Sequence, residues 1–188
     1  MSDAGGADTV VSASFGPYAA DREDPRFTEW LRERAEPDWT AAGTHRFARE
    51  LGDGALDDEV FRRYLIRDDA FLETLIGTFG HAVGEAPTME AKASLVDFLA
   101  VLVPAEWVYL EWASRVADRD PDRPYLAAWI DLHAVDAFAD FVGWLRRELD
   151  REGAAASPRR RERLDRLFRR TVESDGGRVD ADEEVDGS

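Results

Sequence analysis

The sequence predicts an all-α helical bundle, and three observations carry that expectation. Apolar residues recur at helical spacing along most of the chain. The intervals between those segments hold Pro, Gly and Asp, and no window shows the strict alternation and turn chemistry that paired strands need. The breaks fall at Pro37, Gly52-Asp53-Gly54, Ala86-Pro87, Asp118 to Pro124 and Gly153 to Pro158. No internal repeat is evident. At 188 residues the chain suits one domain whose core is large enough to fold without a disulfide or a metal.

Residues 1–24, rich in Gly, Ala, Ser and Asp, read as a flexible acidic arm, residues 25–175 as the helical domain, and residues 176–188 as a disordered acidic tail. One helix should run from Asp57 to Val83, with Phe61, Tyr64, Leu65, Phe71, Leu72, Leu75, Ile76 and Phe79 on one apolar stripe. Asp68 falls inside that stripe. A carboxylate there is costly to bury unless paired, so it is either a structural polar group or a ligand-binding one.

The next apolar face carries Leu95, Phe98, Leu99, Leu102, Ala105, Tyr109, Trp112 and Val116, and Pro104 marks a kink or a fresh helix start. A helix from Tyr125 to Leu149 is expected to bury Trp129, Ile130, Ala137, Phe138, Phe141 and Leu145, with His133 near that face as a satisfied core residue or a ligand. Ser157-Pro158 opens the last helix, which turns Leu164, Leu167, Phe168, Thr171 and Val172 inward. Its Arg159-Arg160-Arg161 run reads as a solvated face.

Composition narrows the chemistry. There is no cysteine, which excludes a thiolate nucleophile and cysteine-type zinc sites. The net charge of −16 argues against nucleic acid, whose phosphates need a basic face. No leader-like segment and no apolar run near the roughly 20 residues of a membrane span are apparent, so a cytoplasmic protein without a membrane partner is expected. Lys92 is the only lysine among many arginines. With the acidic surface, that bias reads as halophilic adaptation to a salty cytosol.

Two blocks carry a resemblance. Thr44-His45-Arg46-Phe47 through Leu51-Gly52-Asp53-Gly54-Ala55-Leu56, then Phe61, Tyr64-Leu65 and Asp68, forms the first. Leu102-Val103-Pro104-Ala105-Glu106-Trp107-Val108-Tyr109, followed by Asp120-Pro121 and Trp129-Ile130, forms the second. Both resemble the TenA/thiaminase II family (TENA/THI-4/PQQC), across most of Phe27 to Asp175. The resemblance implies a heme-oxygenase-like helical fold, hydrolysis of thiamin or of aminopyrimidines derived from it, and no metal or organic cofactor. It places Asp68 as the anchor of the pyrimidine ring, with Phe71, Tyr109 and His133 on the pocket wall.

The chain departs from the family pattern in ways that shape the expected function. The family's nucleophilic cysteine falls at Ala105, and the adjacent Glu106 is turned by roughly 100° from that direction. The family's general acid falls on Asp175, with Glu173 competing. The middle looks shortened, because Phe98 to Leu102 runs directly into Pro104, and part of the family's central helices is expected to be missing. That should leave Phe98 and Trp107 exposed unless a homo-oligomer covers them.

Two functions follow. The first is a TenA-like hydrolase in thiamin salvage that uses Glu106, Glu173 or Asp175 in place of a thiol; the second is a non-catalytic pyrimidine-binding or regulatory homologue. Di-iron chemistry is disfavoured, since His45, His81 and His133 have no Glu three residues before them.

Overall fold

Local chemistry sets most of the helix ends in the computed structural model, which describes residues 11–84 and 89–183, without the side chains of residues 72, 75, 76, 78–84, 89–91 and 175–183. Among the described residues the order is α1 (Phe15–Ala20), α2 (Phe27–Arg34), α3 (Asp38–Gly43), α4 (Arg46–Gly52), α5 (Asp58–Gly84), α6 (Met89–Val116), α7 (Pro124–His133), α8 (Asp136–Ala155) and α9 (Pro158–Glu183), with no strand. Pro37 separates α2 from α3. His45 caps α4 by accepting the Phe47 amide on Nδ1, and Gly54 supplies the positive φ of 66° that turns the chain from α4 toward α5. Pro124 and Pro158 stand at the first positions of α7 and α9.

Helix α6 is the axis of the bundle. It packs against α3, α4, α5, α7, α8 and α9, and Ala100, Val103, Val108 and Ala113 are fully enclosed. Over Lys92–Val116 it is long and apolar enough to span a bilayer, contrary to the expectation that no such run exists. Its all-round apolarity has a nearer explanation: a helix covered on several sides by others has little polar face to keep. Pro104 lies inside the continuous helix, so it does not begin a new one.

Tryptophans knit α6 to its neighbours. Trp107 meets Trp39 edge-on at 4.8 Å and lies under the Arg146 guanidinium at 3.6 Å, and Trp39 stacks on Phe168 at 5.9 Å. Trp107 is therefore buried rather than exposed. Trp112 donates its indole N–H to the Ala42 carbonyl at 2.8 Å in the interior. Contacts of this kind add roughly 0.5–1.5 kcal/mol each beyond the area they bury.

Four stretches depart from the sequence reading. Phe15 and Tyr18 of α1 are buried against Phe27 and Trp30, so part of the stretch read as a loose arm is a docked helix. The expected helix from Tyr125 to Leu149 is two helices. Ala134 ends α7 and Val135, in extended conformation, begins α8, which leaves Ala137 and Phe141 exposed and Phe138 half-buried. Helix α9 continues past Asp175 and its two glycines to Glu183. Leu65, assigned to the apolar stripe of α5, is 44% exposed, while the expected Leu72, Leu75, Ile76 and Phe79 contacts lie outside the described side chains.

The basic run at the start of α9 is not simply a solvated face. Arg161 donates to the Gly153 carbonyl at 2.9 Å and to Ala154, which satisfies carbonyls left open at the end of α8. Arg160 pairs with Asp97 of α6 at 2.8 Å. Deeper in, Arg34 of α2 grips the buried Asp165 of α9 through two bonds of 2.9 Å. Breaking such a pair by deleting one partner costs about 3–5 kcal/mol, because the other charge is left enclosed.

Where α8 crosses α2, Gly153 has no room for a side chain: a Cβ there would stand 2.1 Å from the Phe27 ring, which is itself fully buried. Gly153→Ala is expected to destabilise the fold by about 1–3 kcal/mol through overpacking, read as a lower urea midpoint, whereas Gly16→Ala, which meets nothing within 4 Å, shifts it little. A Gly153→Ala midpoint equal to the parent's contradicts this packing.

Candidate functional site

A polar and aromatic cluster forms where α5, α6 and α7 meet. Tyr64 and Asp68 stand one turn apart on α5, Ala105 and Tyr109 one turn apart on α6, and Trp129 and His133 one turn apart on α7, so each helix offers a matched pair of side chains. The Tyr109 hydroxyl donates to Asp68 Oδ1 at 2.9 Å, joining α6 to α5. The Trp129 indole N–H donates to the Tyr64 hydroxyl at 3.2 Å, joining α7 to α5. Phe47, Tyr64, Tyr109, Trp112 and Trp129 surround these bonds with rings at centroid distances between 4.8 and 6.3 Å.

His133 closes the cluster. Its ring stacks on Trp129 at 4.1 Å and meets Tyr109 and Phe138 edge-on at 6.0 and 5.0 Å. Its Nδ1 lies 2.8 Å from the Trp129 carbonyl, and a carbonyl only accepts, so Nδ1 carries the hydrogen. The break after α7 makes this possible, because His133 is the last residue of that helix and its ring folds back along the terminal turn.

Electrostatics follow from this enclosure. Burial pushes the Tyr64 hydroxyl far above the usual tyrosine range; the Asp68 charge adds to the rise, Tyr109 and Trp129 hydrogen bonds oppose it, and Glu106 adds to it again. Glu106 is thus within electrostatic reach of the cluster, although its place on α6 was expected to turn it away. Burial lowers the His133 pKa, against the pull of the Trp129 carbonyl and of Asp68, so the imidazole is neutral at pH 7.

The other expected site residues divide. Ala105 is buried and bears only a methyl group. Phe71 lines a separate cavity of about 330 Å³ with Thr74, Asp97, Phe98, Arg163 and Leu167, between α5, α6 and α9. Glu173 is exposed, and the Asp175 side chain lies outside the described residues. Sequence reasoning placed Tyr64 and Trp129 in the core and missed their part in the cluster. Their signal was spacing: each stands four residues before a polar group of the site. Among the described residues, no group of three His, Asp or Glu side chains is arranged to hold a metal.

The lowered His133 pKa has a stability consequence. The unfolded imidazole, titrating near 6.5, takes up a proton more readily than the folded one, so the stability due to neutral His133 is complete above that value and is lost as pH falls through the lower folded value. His133→Phe is expected to flatten the fall in unfolding free energy between neutral and mildly acid pH. An unchanged slope in urea titrations contradicts the burial of a neutral ring.

Comparison with known proteins follows the same outline. The profile of the TENA/THI-4/PQQC family matches residues 88–175, from just before α6 into α9. The chain is similar to the aminopyrimidine aminohydrolase of Halalkalibacterium halodurans, with 25% identity over 76% of this chain and 88% of the relative, and to that of Bacillus subtilis, with 23% identity over 62% and 72%. The first alignment runs over 198 residues, more than this chain has in total, so the relative carries residues without a counterpart here. The fold is similar to that of a TenA homologue from P. horikoshii OT3, with a TM-score of 0.69 and 19% identity over 85% of this chain and 99% of that one. The bundle is therefore of the heme-oxygenase-like kind that TenA homologues share, and over residues 88–175 the chain is similar to the TENA/THI-4/PQQC family.

Proposed function

We propose that this protein binds an aminopyrimidine derived from thiamin and hydrolyses it in thiamin salvage, with carboxylate rather than cysteine chemistry. The Asp68–Tyr109 pair carries the reading. An aminopyrimidine offers an amino N–H beside a ring nitrogen; a carboxylate accepts the first, and accepts the second as N–H when the ring is protonated. Tyr109 occupies one oxygen of Asp68 and holds its carboxylate at an aromatic wall suited to a flat ring. The curated relatives in two bacilli, both named aminopyrimidine aminohydrolases, support the substrate class.

With Ala105 at the place of the family cysteine, water has to attack directly and proton transfer falls to other groups. Among the expected carboxylates, Glu106 is the one whose charge reaches the cluster, whereas Glu173 is exposed. The exposed apolar side chains Leu65, Ile66, Phe141 and Trp144 support a homo-oligomer, acting in the cytoplasm, in which a second copy of the chain covers them. A second reading, a pyrimidine-binding or regulatory protein without turnover, is favoured by the buried methyl of Ala105 and the exposure of Glu173.

Calorimetric titration in molar salt with the aminopyrimidine formed in thiamin breakdown tests the proposal. The parent is expected to bind and to release hydroxymethylpyrimidine, and Asp68→Asn to bind at least tenfold more weakly, the equivalent of about 1.4 kcal/mol. Binding without product supports the second reading, and no binding to the parent contradicts both.

A further inference from the structure

His133 is better equipped than a wall residue needs to be. Its Nδ1–H is spent on the Trp129 carbonyl at 2.8 Å, so the neutral ring keeps its lone pair on Nε2. No described residue hydrogen-bonds that nitrogen. It is also absent from the buried, unpartnered side-chain atoms, so it retains accessible surface even though the ring is half-buried. Stacking on Trp129 and edge contacts with Tyr109 and Phe138 fix the plane of the ring. The result is an oriented proton acceptor beside the Asp68–Tyr109 pair, on the α7 side of the wall.

We propose that His133 Nε2 is the base that takes a proton from the attacking water, in a site that has no thiol. The inference rests on the hydrolase reading above. In the step it describes, the water oxygen bonds to the carbon that carries the departing amine and its proton passes to Nε2. The carbon–nitrogen bond breaks with its electron pair on nitrogen, and the imidazolium hands its proton to that nitrogen, which completes the amine and resets the base. The protein groups that face this exchange are Asp68 and Tyr64 from α5 and Glu106 and Tyr109 from α6; Phe138 of α8 brings no charge. The lowered His133 pKa keeps the base free of a proton at neutral pH.

Two measurements on the full chain separate this role from mere packing. Nitrogen-15 correlation spectra of the imidazole at pH 7 are expected to show a protonated Nδ1 and a bare Nε2; the opposite tautomer overturns the proposal whatever the activity. His133→Asn, whose amide can still donate to the Trp129 carbonyl but cannot take up a proton, is expected to bind the aminopyrimidine within about threefold of the parent while kcat falls about 10²–10⁴-fold and the acid limb of the kcat profile disappears. Parent-like kcat and pH profile in His133→Asn overturn the proposal alone. A parent that binds without turnover removes the hydrolase reading and this base with it, and a parent that does not bind removes the pyrimidine site as well.

Discussion

The bundle depends on keeping α6 out of water. Its apolar residues run around the helix rather than along one stripe, and leaving them wet would forfeit about 25 cal/mol for each Å² of apolar surface. Neighbouring helices therefore pack on α6 from several directions, and the tryptophans at positions 39, 107 and 112 set how closely they approach. The site is a consequence of that arrangement. Tyr109 is half-buried on that axis and packs against the core, and its hydroxyl ties Asp68 of α5 to it.

From that fixed hydroxyl the chemistry spreads outward. Asp68 is positioned by Tyr109, Tyr64 by Trp129, and His133 by the carbonyl and ring of Trp129. Each side chain of the cluster has a partner on another helix or one turn away on its own, an arrangement that limits reorganisation when a ligand arrives. The aromatic enclosure also separates the titrations: Tyr64 is kept protonated and His133 is kept neutral.

Much of this was legible in the sequence wherever local chemistry decides. Pro37, Gly54, Pro124 and Ser157-Pro158 end or open helices for reasons contained in a few residues, and the structure follows them. The break at Ala134-Val135 carries no Gly or Pro, so nothing local announces it; it turns the His133 ring back onto α7. Residues 176–188 are expected from composition to be a disordered tail, yet α9 runs on through Gly176 and Gly177 to Glu183, because glycine weakens a helix by only about 1 kcal/mol and does not forbid it.

In the site, Asp68, Tyr109 and His133 were placed together by resemblance and are together in space. Phe71 faces the cavity on the α9 side while Asp68 meets Tyr109 of α6, a difference that spacing along one helix does not reveal. The pairing of that cavity with the Asp68 cluster gives the most direct measurement. A crystal structure grown with the aminopyrimidine is predicted to show the ring's amino group on the Asp68 carboxylate, beside Tyr109 and within reach of His133 Nε2. A ring found instead in the cavity lined by Phe71, Phe98 and Leu167, away from Asp68, would contradict the account.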